Sequence, residues 1–170
     1  PQIIVPGNHD ISLYNVFRRF MRPLARYKRY ITDELEPAFI DDEIAVVGVN
    51  TARSLTIKDG RISHEQVAGL RERLAGLGPE VTRIVVTHHP FDLPEHYEKR
   101  DLVVRAPMAM EVFAETGVDI LMAGHMHASH AGSTAARYQI AEYAALVIQA
   151  GTATSTRGRG EVNSFNVVRV

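Results

Sequence analysis

Residues 83–90 of the chain read RIVVTHHP, and this stretch decides the fold. Its apolar, β-branched first half predicts a buried strand over Arg83–Thr87. Pro90 prevents the strand from continuing, so His88 and His89 stand at its carboxyl end. In open α/β sheets, binding sites form beyond the carboxyl ends of the strands. The stretch therefore predicts an α/β sheet with imidazole side chains at its functional edge.

Two other stretches repeat this pattern of an apolar strand followed by a polar cluster. Residues 118–123 (VDILMA) predict a strand that runs into Gly124-His125-Met126-His127. Residues 3–5 (IIV) predict a short buried strand that stops at Pro6-Gly7 and runs into Asn8-His9-Asp10. Because the carboxyl ends of neighbouring parallel strands share one edge, we expect the three clusters to lie within reach of one metal ion.

The rest of the chain supplies the other helices and strands of a mixed fold. The predicted helices are residues 14–30, interrupted at Pro23, a helix begun by Ser63 and Gln66 and continued by Val67, Leu70, Leu74 and Leu77, and a helix over 107–116 ended by Gly117. The predicted strands are Ile44–Val49 and an antiparallel pair at 145–150 and 164–170. Asp59-Gly60 predicts a hairpin or tight turn. The early part alternates strand and helix, and the late part is mostly strand. This order predicts a layered α/β fold in one domain over residues 1–170.

The composition excludes several classes of protein. With 45% apolar and 23% charged residues, the 170-residue chain resembles a globular domain rather than a disordered one. It lacks the run of about 18 apolar residues that a membrane span needs. A net charge of -1 gives no general attraction to nucleic acid or to an anionic membrane. We expect a cytoplasmic protein without a membrane or nucleic-acid partner, and the sequence predicts no oligomeric state.

The chain contains no cysteine, which excludes disulfides, thiolate metal ligands and a cysteine nucleophile. A metal ion would have to be held by imidazole, carboxylate and amide groups, which suit zinc, manganese or iron.

The histidine pairs allow a metal site or an ordinary structural role. In extended backbone, His125 and His127 would point to the same side and could serve one ion or two adjacent ions. Loop histidines that face water are an equal alternative. Adjacent strand residues point to opposite faces, so only one of His88 and His89 should face a site. Taken alone, a strand-end histidine bonded to a backbone carbonyl is the favoured reading of that pair.

The Asn8-His9-Asp10 cluster also has two readings. The Asn8 amide oxygen suits a hard cation, and His9 can donate a proton. Asp10 can orient His9 by accepting a hydrogen bond from its other ring nitrogen. Taken alone, a plain loop turn is favoured.

In their order along the chain, GNHD, His-His-Pro and GHMH resemble the motifs of the calcineurin-like metallophosphoesterase superfamily. Within it, the chain is most similar to bacterial cyclic-nucleotide phosphodiesterase-like members. Residues 49–63 (VNTARSLTIKDGRIS) and 149–170 (QAGTATSTRGRGEVNSFNVVRV) are similar to that group as well, so the resemblance covers essentially the whole chain. It implies a layered α-β-β-α sandwich with mixed sheets.

The resemblance implies a role for each motif residue. Asn8, His88 and His125 match ligands of the second metal, and His127 matches a ligand of the first. His88 is preferred over His89 because the first histidine before the proline coordinates in the family. His9 matches the catalytic histidine that stabilises the transition state or protonates the leaving oxygen, with Asp10 behind it.

The implied reaction is hydrolysis of phosphate esters by a hydroxide that bridges two divalent ions, manganese, iron or zinc. The expected substrates are small phosphodiesters such as cyclic nucleotides. The alternatives are a phosphomonoesterase or a lipid phosphodiesterase of the same superfamily, or a non-catalytic binding module that reuses the fold.

The chain departs from the family pattern before Pro1. Family members begin with a strand ending in Asp-x-His, followed by a Gly-Asp whose aspartate bridges the metals, and the chain contains neither motif. We therefore expect the chain to be the C-terminal, larger part of the domain, in preference to a chain that has merely lost an initiator Met. By itself it should hold at most one ion well and should be impaired or inactive in hydrolysis.

The remaining candidate residues have weaker signals. A basic run could steer phosphates toward the site, although a solvated helix face is favoured; it comprises Arg18, Arg19, Arg22, Arg26, Lys28 and Arg29. Arg157 and Arg159 could clamp a phosphate or lie in a polar turn. We expect His64, His96 and His130 at the surface, and Met108 and Met110 in the core.

Overall fold

The strand that leads into His88 lies in the interior of a six-stranded sheet. The computed structural model describes residues 1–94, 97, 99–154 and 162–170. Its helices are α1 (Val16–Met21), α2 (Ala25–Tyr30), α3 (His64–Leu74) and α4 (Ala106–Glu115). Its strands are β1 (Ala38–Ile40), β2 (Ile44–Val49), β3 (Thr82–Thr87), β4 (Ile120–Ala123), β5 (His130–Ser133) and β6 (Leu146–Gln149).

The sheet has the order β1-β2-β3-β4-β6-β5. Strands β2, β3, β4 and β6 are parallel, and the two edge strands β1 and β5 are antiparallel to their neighbours. In register, Val85 of β3 lies between Val47 of β2 and Leu121 of β4. The mixed α/β fold predicted from the sequence is confirmed, and the parallel strands present their carboxyl ends at one edge.

One face of this sheet forms the main core with α3 and α4. Val47, Val85 and Leu121 pack there against Leu74 and Phe113, and all five side chains are buried. Burying a large apolar side chain stabilises the fold by about 1.5–3 kcal/mol. This packing fixes the central strands and therefore the positions of the residues that follow them.

The predicted helix boundaries are largely confirmed. Ser63 and Gln66 form the expected capping box, in which each side chain accepts a hydrogen bond from the backbone of the other. The helix α4 ends before Gly117, whose φ of +65° suits glycine. The interruption at Pro23 separates α1 from α2, as expected.

The predicted strand at Ile3–Val5 is wrong. Both edges of β2 are occupied, by β1 and β3, so this segment has no place beside it in the sheet. Val5 instead packs over the face of β2 at Gly48, where an added Cβ would lie 2.8 Å from the Val5 Cγ1. The Tyr27 hydroxyl donates to the Ile4 carbonyl at 3.0 Å. The segment is thus an irregular strap across the sheet.

The predicted tail of two antiparallel strands is also wrong. Strand β6 falls within residues 145–150, but its antiparallel partner is β5, and residues 162–170 form no strand. The sequence of β5 (HAGS) lacks the apolar alternation that marks a strand, which is why it was not predicted. No helix among the described residues is long and apolar enough to cross a membrane.

Candidate active site

The first cluster forms a tight turn at the functional edge of the sheet. Asn8–Asp10 make one turn of 3-10 helix, with Asn8 buried and His9 and Asp10 exposed. The Asp10 carboxylate accepts from the Gly7 backbone N–H at 2.8 Å. The expected hydrogen bond from His9 to Asp10 is not formed among the described residues. Asp10 therefore stabilises the turn and does not orient the His9 imidazole.

The amide of Asn8 has a defined orientation. Its Nδ2 donates to the Ile57 carbonyl at 3.3 Å, which leaves Oδ1 facing the His88 Nε2 at 2.9 Å. The loop that carries Ile57 is held by Arg19, whose Nε donates to the Ser54 carbonyl at 2.7 Å and whose Nη2 donates to the Thr56 carbonyl. Arg19 is only 7% exposed, so it is a structural residue and not part of a solvated helix face.

His88 and His125 meet beside Asn8. The His88 Nε2 lies 3.2 Å from the His125 Nδ1. Gly7 makes this approach possible, because a Cβ there would lie 2.8 Å from the His88 ring. Two ligands bound to one zinc-sized ion at about 2.1 Å would lie about 3.0–3.4 Å apart, depending on the coordination geometry. The observed separations of 2.9 and 3.2 Å therefore fit a shared cation.

Both His88 and His89 face this site, contrary to the prediction for adjacent strand residues. Strand β3 ends at Thr87, whose hydroxyl donates to the His89 carbonyl at 2.7 Å and turns the backbone. The ring centroids of His88 and His89 lie 5.0 and 4.6 Å from that of His125. These three residues form the histidine cluster, whose potential ligand nitrogens lie within 4.8 Å of one another and could hold one ion.

The Gly124–His127 segment is not extended, so the predicted reason for pairing its histidines is wrong. His125 and His127 have φ angles of 70° and 59°. Met126 N donates to the Gly124 carbonyl at 2.8 Å, which closes a γ-turn around His125. Such left-handed backbone costs about 1–3 kcal/mol at a non-glycine residue and concentrates at functional sites. The turn directs His125 into the cluster and leaves His127 beside it.

Burial keeps two imidazoles of the cluster, those of His88 and His89, neutral. It lowers the pKa of His88 to about 4, with further lowering from His125, His9 and His127 nearby. It lowers the pKa of His89 to about 2, again with help from His88 and His125. Neutral imidazoles offer lone pairs to a cation. Within the described residues, the group of potential ligands contains no carboxylate.

His9 and Asp10 line a small cavity together with Arg18 and Arg26. Two cations of the basic run thus lie beside the exposed turn. Arg157, Arg159 and His96 lie outside the described residues.

The other minor predictions have mixed outcomes. His64 is exposed as expected, and Met110 is buried in the core with Met108 packed against it. His130 is half-buried in the edge strand β5, so its prediction as a surface residue is only partly right.

Thr51 and Gly60 belong to the site and were not predicted. The Thr51 hydroxyl lies 2.8 Å from the His89 Nδ1. A Cβ at Gly60 would overlap the His89 ring, so this glycine provides close approach rather than the predicted hairpin or tight turn. Thr51 does follow the carboxyl end of β2, just as the histidines follow β3 and β4, and that position was an available signal.

Comparison with known proteins gives one family match. The family model described as Calcineurin-like phosphoesterase matches residues 1–129, about three quarters of the chain. The matched span contains Asn8, His88, His125 and His127. No curated protein matches the chain.

Proposed function

Because the chain belongs to the calcineurin-like phosphoesterase family, we propose that it hydrolyses phosphate esters, at an impaired rate by itself, with a divalent metal held at the histidine cluster. The family comprises phosphoric ester hydrolases that bind divalent metals. One observation carries the proposal: Asn8 Oδ1, His88 Nε2 and His125 Nδ1 converge, with separations of 2.9 and 3.2 Å.

Asn8, His88 and His125 would hold the ion, with His127 contributing from beside the cluster. When bound, a divalent ion supplies Lewis-acid stabilisation of charge on phosphoryl oxygens and activates water for attack. None of these four residues is a carboxylate, so among them no negative charge offsets the charge of the cation. We therefore propose one ion per chain, manganese, iron or zinc, held more weakly than at a site with carboxylates.

His9 is proposed as the general acid that protonates the leaving oxygen. It is exposed on the rigid Asn8–Asp10 turn and shares its cavity with Arg18 and Arg26, whose charges suit an anionic substrate. Asp10 is proposed as a positioning residue that fixes the turn through the Gly7 N–H.

We propose phosphodiesters, including cyclic nucleotides, as the substrates. This rests on the motif resemblance, since an alkoxide that takes a proton from His9 could leave from a monoester or a diester. The test compares the rates at which the manganese-loaded protein cleaves an aryl phosphodiester, an aryl phosphomonoester and a cyclic nucleotide. Faster cleavage of the monoester would overturn the diester assignment.

The decisive variant is His9→Ala. We expect its hydrolysis rate to fall by about 100-fold or more while manganese affinity, measured by calorimetry, stays unchanged. The control is His64→Ala, which removes an exposed histidine of α3 that is not part of the cluster. Unchanged turnover in His9→Ala would refute the assigned role.

The number of metals is tested separately. Calorimetric titration with manganese should reveal one site per chain. Two tight sites per chain would contradict the proposed neutral ligand set.

A further inference from the structure

His89 differs from the other members of the histidine cluster in its hydrogen bonding. It is 1% exposed, and its Nε2 has no hydrogen-bond partner among the described residues. Its Nδ1, by contrast, lies 2.8 Å from the Thr51 hydroxyl. A buried ring nitrogen without a partner among the described residues calls for one, such as water, an ion or an oxygen of a bound ligand.

The Thr51 hydroxyl determines which His89 nitrogen carries the proton. That oxygen already accepts from the His89 backbone N–H at 3.3 Å. A hydroxyl has one hydrogen to donate, and Thr51 is fully buried, so water does not receive it. Among the described residues, the acceptor for this hydrogen is the His89 Nδ1. When Nδ1 accepts, the ring proton must be on Nε2.

The opposite tautomer satisfies fewer groups. If Nδ1 donated to Thr51, the threonine hydrogen would lack an acceptor and the His89 Nε2 lone pair would lack a donor, within the described residues. The Nε2–H form leaves only the N–H itself without a close partner among the described residues, and the Lys58 backbone is the one weaker hydrogen-bonding group recorded at the ring. Buried polar groups favour the arrangement that satisfies more of them.

Gly60 keeps the His89 ring in place. A side chain at this position would overlap the imidazole, so the ring is held between Gly60 and the other two histidines. Its centroid lies 4.7 Å from that of His88 and 4.6 Å from that of His125. The His89 ring is therefore held beside the two imidazoles that would hold the ion.

We propose that His89 is a hydrogen-bond donor to an oxygen of the phosphoryl group in the site, and not a metal ligand, and that Thr51 is the positioning residue that sets its tautomer. The inference rests on the proposed function, since it needs an oxyanion at the histidine cluster. A neutral N–H can stabilise negative charge on such an oxygen without displacing a metal ligand. The three histidines thus divide into two ligands, His88 and His125, and one donor.

The tautomer is measured directly in the metal-free protein. Long-range proton–nitrogen correlation spectra of nitrogen-labelled protein at neutral pH should show His89 as the Nε2–H form. The Nδ1–H form would overturn the proposal. This readout needs no hydrolysis, so it stands even if the proposed function fails.

Metal loading gives a second readout. With an NMR-active cadmium isotope bound, scalar coupling to the metal should appear at His88 and His125 and be absent at His89. Coupling at His89 would show that it is a ligand and would overturn the proposal.

A matched pair of variants tests Thr51. Thr51→Val keeps the shape and removes the hydroxyl, so the Nε2–H form should lose its preference. Affinity of the zinc-loaded protein for inorganic phosphate should then fall about 10-fold, since a hydrogen bond to a charged group is lost. Zinc affinity should not fall. Thr51→Ser should retain wild-type phosphate affinity; equal phosphate affinity in all three proteins would overturn the role of Thr51.

Discussion

The histidine cluster and the Asn8–Asp10 turn lie side by side, yet they are built in opposite ways. The cluster is the more buried of the two: His89 is buried and His88 and His125 are half-buried. Burial lowers the pKa values of His88 and His89, and an added Cβ at Gly7 or Gly60 would overlap their rings. The turn exposes His9 beside two arginines. A metal-holding element needs fixed, neutral nitrogens, whereas a proton donor must reach the substrate. The difference in burial between the cluster and His9 therefore matches the two proposed roles, and the buried Asn8 of the turn belongs with the ligands.

The largest expected effect is the loss of metal binding when an imidazole of the cluster is removed. His88→Ala deletes the central group that contacts both Asn8 and His125, so metal affinity should fall by about 100-fold or more. Calorimetry with manganese measures the affinity, and hydrolysis should be lost with it. The contrast is His9→Ala, which should lose hydrolysis and keep the metal. Equal loss of metal affinity in His88→Ala and His9→Ala would mean that the cluster and His9 do not have separate roles.

Adding one methyl group at Gly60 should be nearly as disruptive. The new Cβ would overlap the buried His89 ring, and overpacking of this kind costs about 1–3 kcal/mol. Chemical denaturation of Gly60→Ala should show that loss. The matched control is Gly69→Ala within α3, where an added Cβ meets no atom of the described residues within 4 Å. It should stabilise the protein by about 1 kcal/mol, so equal effects of the two substitutions would contradict the close packing around His89.

Acid should destabilise the folded protein through the histidine cluster. The pKa of His88 falls from 6.5 in the unfolded chain to about 4 in the folded protein, so between these values the unfolded chain binds more protons. Stability is therefore complete above the unfolded pKa and is lost as the pH falls toward the folded one. The free energy of unfolding of the metal-free protein should drop by about 2 kcal/mol between about pH 6.5 and about pH 5 for this group.

A variant tests whether the pH dependence of the free energy of unfolding comes from His88. Denaturation curves of His88→Gln should show a smaller drop over the same range, and those of His64→Gln should show the full drop. A drop of the same size in His88→Gln would exclude His88 as its source.

The smallest effect is expected for the charges beside the Asn8–Asp10 turn, and it concerns the rate of hydrolysis. Arg26→Gln removes a cation that shares the cavity with His9 and should lower kcat/KM by about 3-fold at low salt, with less effect at high salt. Lys28→Gln is the control, because it makes the same charge change in α2 but does not line that cavity. Equal effects of both substitutions would indicate a general charge effect.

The sequence predicted the framework because strands with apolar runs have clear signals. Strands β2 and β3 and the capped helix α3 fall where the pattern places them, and so does the meeting of Asn8 with His88 and His125. These features depend on local patterns and on parallel strands sharing an edge.

The misses depend on contacts that are distant in the chain. The Ile3–Val5 segment has an apolar strand pattern, but β1 and β3 already occupy both edges of β2. Thr51 is 38 positions from His89, so only the folded arrangement reveals their hydrogen bond. Gly60 looks like a turn glycine until the His89 ring is found against it. No single-residue pattern carries such information.

Selection for heat resistance and selection for hydrolysis would pull positions 125 and 127 in opposite directions. Both histidines have positive φ angles, a conformation that glycine and asparagine tolerate better. A variant library screened for thermal survival alone should therefore become enriched in Gly or Asn at these sites. If metal binding were no longer selected, replacing these two histidines would raise the stability of the fold. The GHMH segment would then be among the first parts of the site to change.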